Sequence, residues 1–196
     1  MDVTYSEKRS IQELVASLEV YRAHTQSVFT ANDFSQPESS LVTATDTFMK
    51  DGVNRVVSEI GAVRHVVLIG IGGSSLGTEA IHAALGSDVR LHVLDAVAPY
   101  RITEVVESLK DVPKSDIAIC AISKSGGTTE TLTNTTVLLD ELGKVYGEQP
   151  YDRLVCIGNP NNALLEAGKA LGARTLAMHE VVGGRYSVFT AVGLVP

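Results

Sequence analysis

The amino-acid sequence predicts an α/β fold in which five parallel strands form one sheet with helices on both faces, preceded by a helical N-terminal segment. Two observations predict it. From residue 64 onwards, short apolar runs alternate with segments whose apolar residues recur at helical spacing, the pattern of repeated β-α units. Two turns rich in glycine and hydroxyl side chains follow the first and third runs, where parallel strands lead into helices.

Residues 1–62 are predicted to form the helical segment. Five apolar residues at helical spacing predict an amphipathic helix from about Glu7 to His24; they are Ile11, Leu14, Val15, Leu18 and Tyr21. The next twenty residues are polar and contain turn formers, which predicts an irregular connection. Thr45 or Asp46 then fits the N-cap of a second helix whose apolar positions extend to Ile60.

Residues 63–178 are predicted to contain the sheet. Its strands are the apolar runs at residues 66–69, 89–94, 117–122, 154–158 and 175–178. Repeated β-α units with right-handed crossovers favour a flavodoxin-like sheet of strand order 2-1-3-4-5. Cys120 and Cys156 fall inside the third and fourth runs, where buried thiols are expected and a disulfide is not.

The composition excludes several classes of protein. Of 196 residues, 44% are hydrophobic and the mean hydropathy is +0.15, so the chain is globular rather than disordered. A net charge of −7 argues against nucleic acid or an anionic membrane as a partner. The sequence contains no signal peptide and no run long enough to span a bilayer, and its cysteine usage is that of a reduced protein. We therefore expect a cytoplasmic protein.

The turn from Ser123 to Thr131 concentrates hydrogen-bond donors. It carries five hydroxyl groups and one ammonium group between an apolar strand and a helix. Serine and threonine are ordinary N-caps, and a capped helix start would explain any one of them. The whole cluster favours a phosphate-binding loop, because the free N–H groups and the positive dipole at a helix start attract anions.

The predicted strand order brings this turn to a second one. Strands one and three are neighbours in the order 2-1-3-4-5, and such sheets bind ligands at the carboxyl ends of their strands. Ser74, Ser123, Ser125 and Thr128 are therefore expected to lie together.

A dinucleotide site is the competing interpretation. Gly70 and Gly72 open the first turn, and Asp95 ends strand two, where an acid would bind a ribose. However, the third glycine of the G-x-G-x-x-G fingerprint is replaced by Ser75, and the second hydroxyl-rich turn would be left unexplained. The sequence also lacks the G-x-x-x-x-G-K-[ST] motif, which gives phosphoryl transfer no support.

Three motifs, at residues 70–74, 123–131 and 183–187, occur in an order and context that resemble the glucose-6-phosphate isomerase family. The third of them is Gly183-Gly184-Arg185-Tyr186-Ser187, and it is the one that points to this family; the first two recur in other sugar isomerase (SIS) domains. The similarity to the N-terminal SIS domain of the bacterial-type enzymes extends from about Thr45 to the end of the chain.

The resemblance implies an enzyme that interconverts glucose 6-phosphate and fructose 6-phosphate through an enediolate, without a cofactor, and that is a homodimer at full length. It implies that residues of the first two motifs bind the sugar phosphate: Gly73, Ser74, Ser123, Lys124, Ser125 and Thr128. It implies a catalytic role for Arg185, because a fixed guanidinium stabilises the negative charge of the enediolate.

In this family the carboxylate base, the histidine that opens the sugar ring and a late lysine lie beyond the position of Pro196. Glu130 and His179 are poor substitutes, because a carboxylate at a helix start is ordinarily structural and an isolated histidine is ordinarily a packing residue. We therefore expect residues 179–196 to begin a further segment, and the chain to be an inactive fragment. The five histidines lack metal-ligand spacing, which predicts no metal site.

Two alternatives stay open. A SIS-type sensor would bind a phosphosugar and regulate a partner, although the acidic composition and the polar region 31–40 give it no support. A different phosphosugar isomerase, such as an aminosugar enzyme, would share the phosphate-binding loop and would require an amine donor.

Overall fold

A computed structural model describes residues 10–196. Within these residues, five parallel strands form one sheet of order β2-β1-β3-β4-β5, which confirms the predicted fold and strand order. The strands are β1 His65–Ile69, β2 Arg90–Leu94, β3 Ile117–Ile122, β4 Leu154–Gly158 and β5 Arg174–Ala177.

The helices of the described residues follow the predicted β-α alternation. They are α1 Ile11–Ser17, α2 Glu19–Ala31, α3 Thr47–Ile60, α4 Leu76–Leu85, α5 Pro99–Leu109, α6 Thr129–Tyr146, α7 Ala163–Ala170 and α8 Ala191–Leu194. Short 3-10 helices occupy several connections: Pro37–Leu41, Thr43–Thr45, Gly72–Ser74, Lys114–Asp116, Tyr151–Arg153 and Gly184–Phe189.

The N-terminal helix differs from its prediction. Instead of one helix ending at His24, two helices meet at Leu18, and the second ends only where Asn32 adopts a left-handed conformation with φ 50°. Residues 25–31 contain no glycine or proline, so nothing in them stops a helix. The predicted apolar stripe of this region is exposed. The expected start near Glu7 lies outside the described residues.

The second predicted helix, α3, begins as expected. Asp46 is its N-cap, and the Asp46 carboxylate accepts a hydrogen bond from the Met49 N–H at 3.0 Å. Met49, Val53 and Val56 recur at helical spacing and are buried against the sheet. The proposed domain boundaries at residues 62 and 178 stay predictions.

The sheet is buried on both faces, which explains its continuous apolar runs. Alternate residues of each strand contribute to two cores, one covered by α5, α6 and α7 and the other by α3 and α8. Cys120 and Cys156 belong to different cores and are free thiols, as predicted. Burial raises the pKa of the Cys120 thiol to about 12 and that of Cys156 to about 11.

Among residues 10–196, no helix combines the length and the hydropathy that crossing a lipid bilayer requires.

His92 on β2 makes the stability of the fold dependent on pH. Burial, followed by the charges of His65 and Arg90, lowers the pKa of His92 to about 4. In the unfolded chain the pKa of this histidine has its ordinary value near 6.5. Between about pH 6.5 and about pH 4 the unfolded chain therefore binds more protons at His92 than the folded chain does. The free energy of unfolding consequently falls as the pH decreases through this range.

We expect His92→Gln to flatten this dependence. Urea unfolding of both proteins is measured in steps from about pH 7 to about pH 4.5. Over this range the free energy of unfolding of the wild type should fall by roughly 1–3 kcal/mol more than that of the variant. His65, whose pKa burial also lowers, would contribute to the slope that remains in the variant. Equal slopes for the two proteins would contradict the lowered pKa of the half-buried His92.

Candidate active site

The two hydroxyl-rich turns meet in one cleft of about 400 Å³ at the carboxyl ends of the strands. The residues that line it come from the segments after β1, β3 and β4 and from the third motif: Ile71, Gly73, Ser74, Lys124, Ser125, Thr128, Asn159 and Gly184. The spatial proximity of Ser74 and Ser125 is thus the one expected from the strand order. Among these lining residues, Lys124 alone carries a charge, and it is positive.

The loop after β3 holds its hydroxyl groups by internal hydrogen bonds. The Ser123 hydroxyl is buried, pairs with the Thr128 hydroxyl at 2.8 Å and accepts a bond from the Gly126 N–H at 3.1 Å. Ser125 is exposed and accepts from the Gly127 N–H at 3.2 Å. Ser123 therefore lies behind the cleft, whereas Ser125 and Thr128 line it.

Helix α6 begins at this loop. The side chain of its N-cap residue, Thr128, makes no capping bond, because its hydroxyl pairs with Ser123. Within the described part of the chain, the N–H groups of Thr129, Glu130 and Thr131 donate to no acceptor. Free N–H groups at the start of an 18-residue helix give the cleft a partial positive charge that suits an anion.

The first and third motifs are in backbone contact. A Cβ atom built on Gly73 would lie 2.3 Å from the carbonyl carbon of Gly184, so only glycine permits this approach. Ser187 joins the same two residues, since its hydroxyl donates to the Gly184 carbonyl at 2.7 Å and contacts the Gly73 carbonyl at 3.3 Å. The glycine at position 73 is thus explained by the assembly of the cleft.

Arg185 follows Gly184 directly and has an exposed side chain. It is not one of the lining residues, and within residues 10–196 it forms no hydrogen bond or ion pair. Lys124 lines the cleft, and its ammonium group donates to the Val182 carbonyl at 3.0 Å. Lys124 therefore links the loop after β3 to the segment that carries Arg185.

Sequence reasoning missed Asn162, which holds the loop from the β4 side. Its amide nitrogen donates to the carbonyl groups of Ser123 and Lys124 at 3.2 Å each, while its oxygen caps α7. A Cβ on Gly126 would lie 2.4 Å from the Asn162 side chain, so that glycine is also required by contact. The sequence signals the N-cap role of Asn162, because an asparagine precedes an apolar helix. Its hydrogen bonds to the loop could not be predicted, because they join residues 38 positions apart in the chain.

Glu130 and His179 lie outside the cleft. His179 stacks on Phe34 with ring centroids 4.6 Å apart, and its ring pairs with the buried Asp46 carboxylate at 2.6 Å. These contacts are those of a packing residue. A larger hollow of about 640 Å³ lies beside His179, between α3 and β5, and it contains none of the loop donors.

Side chains that could ligate a metal are dispersed over the described residues. In the part of the chain that the structure describes, no three histidine, cysteine, aspartate or glutamate side chains are grouped so that they could hold a metal ion.

The chain is similar in sequence to known proteins. A family model described as phosphoglucose isomerase matches residues 9–196. A glucose-6-phosphate isomerase of Thermus thermophilus is 40% identical over 136 residues, which are 68% of this chain and 32% of that protein. A probable glucose-6-phosphate isomerase of Haloarcula marismortui is 30% identical over 191 residues, which are 97% of this chain and 42% of that protein. The chain thus spans less than half the length of these curated relatives.

Solved structures agree on the fold. A Thermus thermophilus protein described as hypothetical superposes with a TM-score of 0.73 and 31% identity, over 94% of this chain and 45% of that one. A Chlamydia trachomatis glucose-6-phosphate isomerase has the same fold at 24% identity, with a TM-score of 0.63 over 74% of this chain and 29% of that one. Because the family model covers nearly the whole sequence, the chain belongs to the phosphoglucose isomerase family.

Proposed function

We propose that this chain provides the sugar-phosphate site of an enzyme that interconverts glucose 6-phosphate and fructose 6-phosphate. The observation that carries the proposal is the shared cleft, in which the turns after β1 and β3 present donors to one space of about 400 Å³. Ligand sites of this size, at this place in a parallel sheet, are typical of small anionic substrates.

In this proposal the phosphate group binds at the start of α6. The hydroxyl groups of Ser125 and Thr128, together with the free N–H groups of the first helical turn, donate to its oxygens. Lys124 adds a positive charge, and Ser74, next to Gly73, donates from the opposite side of the cleft. Ser123 acts through the loop, because its hydroxyl bonds to Thr128 and Gly126.

The isomerisation removes a proton from the carbon next to a carbonyl group and passes through an enediolate. Arg185 follows the Gly73–Gly184 contact, and we assign it the stabilisation of that negative charge. The lining residues include no carboxylate and no imidazole among those described, so the general base and the ring-opening acid belong to other parts of the enzyme. The relatives are two to three times longer than the matched region, which leaves room for them.

The wider setting of the enzyme is part of the same proposal. We infer that the full-length enzyme is a cytoplasmic homodimer. Its ligand is a sugar phosphate, and it binds neither nucleic acid nor a membrane. The net charge of −7 supports the exclusion of polyanionic partners. The dimer follows from the family resemblance.

Replacing Ser125 and Thr128 together by alanine tests the phosphate site. We expect the affinity for glucose 6-phosphate, measured by isothermal titration calorimetry, to fall by about 10- to 100-fold, because two donors to a charged group are lost. In a complete enzyme the same change should mainly raise KM. Thr136→Ala is the matched control, since this exposed threonine on the same helix bonds only to the Leu132 carbonyl.

Two results would contradict the proposal. If the wild-type chain binds glucose 6-phosphate no better than glucose, the cleft is not a phosphate site. If the complete enzyme converts fructose 6-phosphate only when an amine donor is supplied, the aminosugar alternative is correct.

A further inference from the structure

Asn162 does not line the cleft, yet its side chain bonds to the backbone of the loop that does. A side-chain amide nitrogen carries two N–H groups, and that of Asn162 donates to the carbonyl oxygens of Ser123 and Lys124 at 3.2 Å each. Each carbonyl group also accepts one backbone bond, from the Gly126 N–H at 3.2 Å and the Asn159 N–H at 3.0 Å respectively. Among the described residues, Asn162 is therefore the one that holds both carbonyl groups at once.

The turn after β4 brings this side chain to the loop. Asn161 adopts a left-handed conformation with φ 57°, which asparagine tolerates better than most residues. A Cβ atom built on Gly158 would overlap both the Asn162 amide nitrogen and the Ser123 carbonyl oxygen, so glycine is required where the two meet. The Asn162 side-chain oxygen accepts from the Leu165 N–H at 2.9 Å and caps α7. The oxygen thus anchors the side chain to a helix while the nitrogen holds the loop.

The bonds of Asn162 set the direction of two backbone N–H groups. A trans peptide unit is planar, so the N–H group that follows a carbonyl group points the opposite way. Asn162 therefore directs two N–H groups away from itself, those of Lys124 and Ser125. Within residues 10–196 neither of these N–H groups donates to an acceptor. Both residues line the cleft, where a bound anion would supply the missing acceptor.

We propose that Asn162 is a positioning residue for the phosphate group: its amide nitrogen fixes the loop after β3 so that the N–H groups of Lys124 and Ser125 donate to the phosphate oxygens. Donors that are held in place before binding raise the affinity, because less conformational freedom is lost when the ligand binds. This inference rests on the proposed function and deepens it, since it assigns part of the phosphate affinity to a residue outside the cleft.

Asn162→Ser tests the inference, because serine is also a good N-cap and its side chain is too short to reach the loop. The probes are inorganic phosphate and glucose 6-phosphate, each titrated by isothermal titration calorimetry into the wild-type chain and the variant. We expect the variant to bind both ligands about tenfold more weakly. Urea unfolding should show that the variant is fully folded without denaturant, so that the loss of affinity does not come from unfolded protein.

Asn162→Ala is the comparison, because it removes the cap of α7 as well as the bonds to the loop. Its urea midpoint should lie below that of Asn162→Ser, whereas its affinity for inorganic phosphate should equal that of Asn162→Ser. If only the alanine variant loses affinity, Asn162 acts as a helix cap and the inference is wrong.

NMR gives a direct signature of the two N–H groups. Inorganic phosphate should shift the amide signals of Lys124 and Ser125 in the wild-type chain, and should shift them less at saturation in Asn162→Ser. Unmoved signals in a wild-type chain that binds phosphate would overturn the inference alone, as would wild-type affinity in Asn162→Ser or a loss confined to glucose 6-phosphate. A wild-type chain that binds neither ligand would overturn the proposed function, and this inference with it.

Discussion

Gly73→Ala is expected to lower the free energy of unfolding by about 2–3 kcal/mol and to abolish measurable binding of glucose 6-phosphate. The added methyl group would lie 2.3 Å from the carbonyl carbon and 2.5 Å from the carbonyl oxygen of Gly184. Both contacts are with backbone, which cannot rotate away as a side chain can, so the two segments must separate. Their separation would displace Ser74 from the cleft that it shares with Ser125.

The same contact provides a matched control from its other side. A Cβ atom on Gly184 would meet the Gly73 Cα at 3.6 Å, an ordinary van der Waals distance. Gly184→Ala should therefore change the free energy of unfolding by less than about 1 kcal/mol. Urea unfolding of the two variants measures the difference, and equal losses would show that the backbones do not approach as described.

Arg153→Ala is expected to have the largest effect on stability, about 3–4 kcal/mol. Arg153 is only 8% exposed, and its guanidinium donates to three backbone carbonyl groups. Nε bonds to Ile117 at 2.7 Å, Nη1 to Ile60 at 3.1 Å and Nη2 to Ser115 at 2.8 Å. The side chain thus joins the end of α3 to the start of β3, and its removal leaves buried carbonyl groups without donors.

Two further variants show whether this geometry is responsible. Arg153→Lys should restore little of the loss, because one ammonium group cannot reproduce the planar fork that reaches all three carbonyl groups. Arg22→Ala removes an exposed arginine that is paired with Glu19 on α2, and it should leave the free energy of unfolding nearly unchanged. A loss for Arg153→Ala as small as that for Arg22→Ala, in urea unfolding with unchanged m-values, would refute the structural role of Arg153.

Much of the fold was predictable from local patterns. The strands β3 and β4 are as predicted, and the order of the sheet is the predicted one. The prediction was wrong at the end of the first helix, where polar residues suggested a loop but no residue stopped the helix. Polarity alone does not terminate a helix, whereas Asn32, which readily adopts the left-handed conformation, ends α2.

The candidate site was predictable only in its location, and not in the orientation of its side chains. The convergence of Ser74 and Ser125 follows from topology, because both turns end neighbouring strands. Whether a hydroxyl faces the cleft or the protein interior does not follow from topology. Ser123 and Ser125 are two residues apart in one motif, yet only the second is exposed.

The sequence by itself determined the parallel sheet, the positions of its turns and the membership of the three motifs in one family, because these depend on periodicity and on residues adjacent in the chain. The tertiary structure alone decided which polar groups are available. It placed Ser123 behind the cleft, brought Gly73 against Gly184, and left the Asn159 oxygen buried without a partner. The physical reason is that burial and hydrogen bonding at these positions depend on segments that are far away in the sequence and meet only in the folded chain.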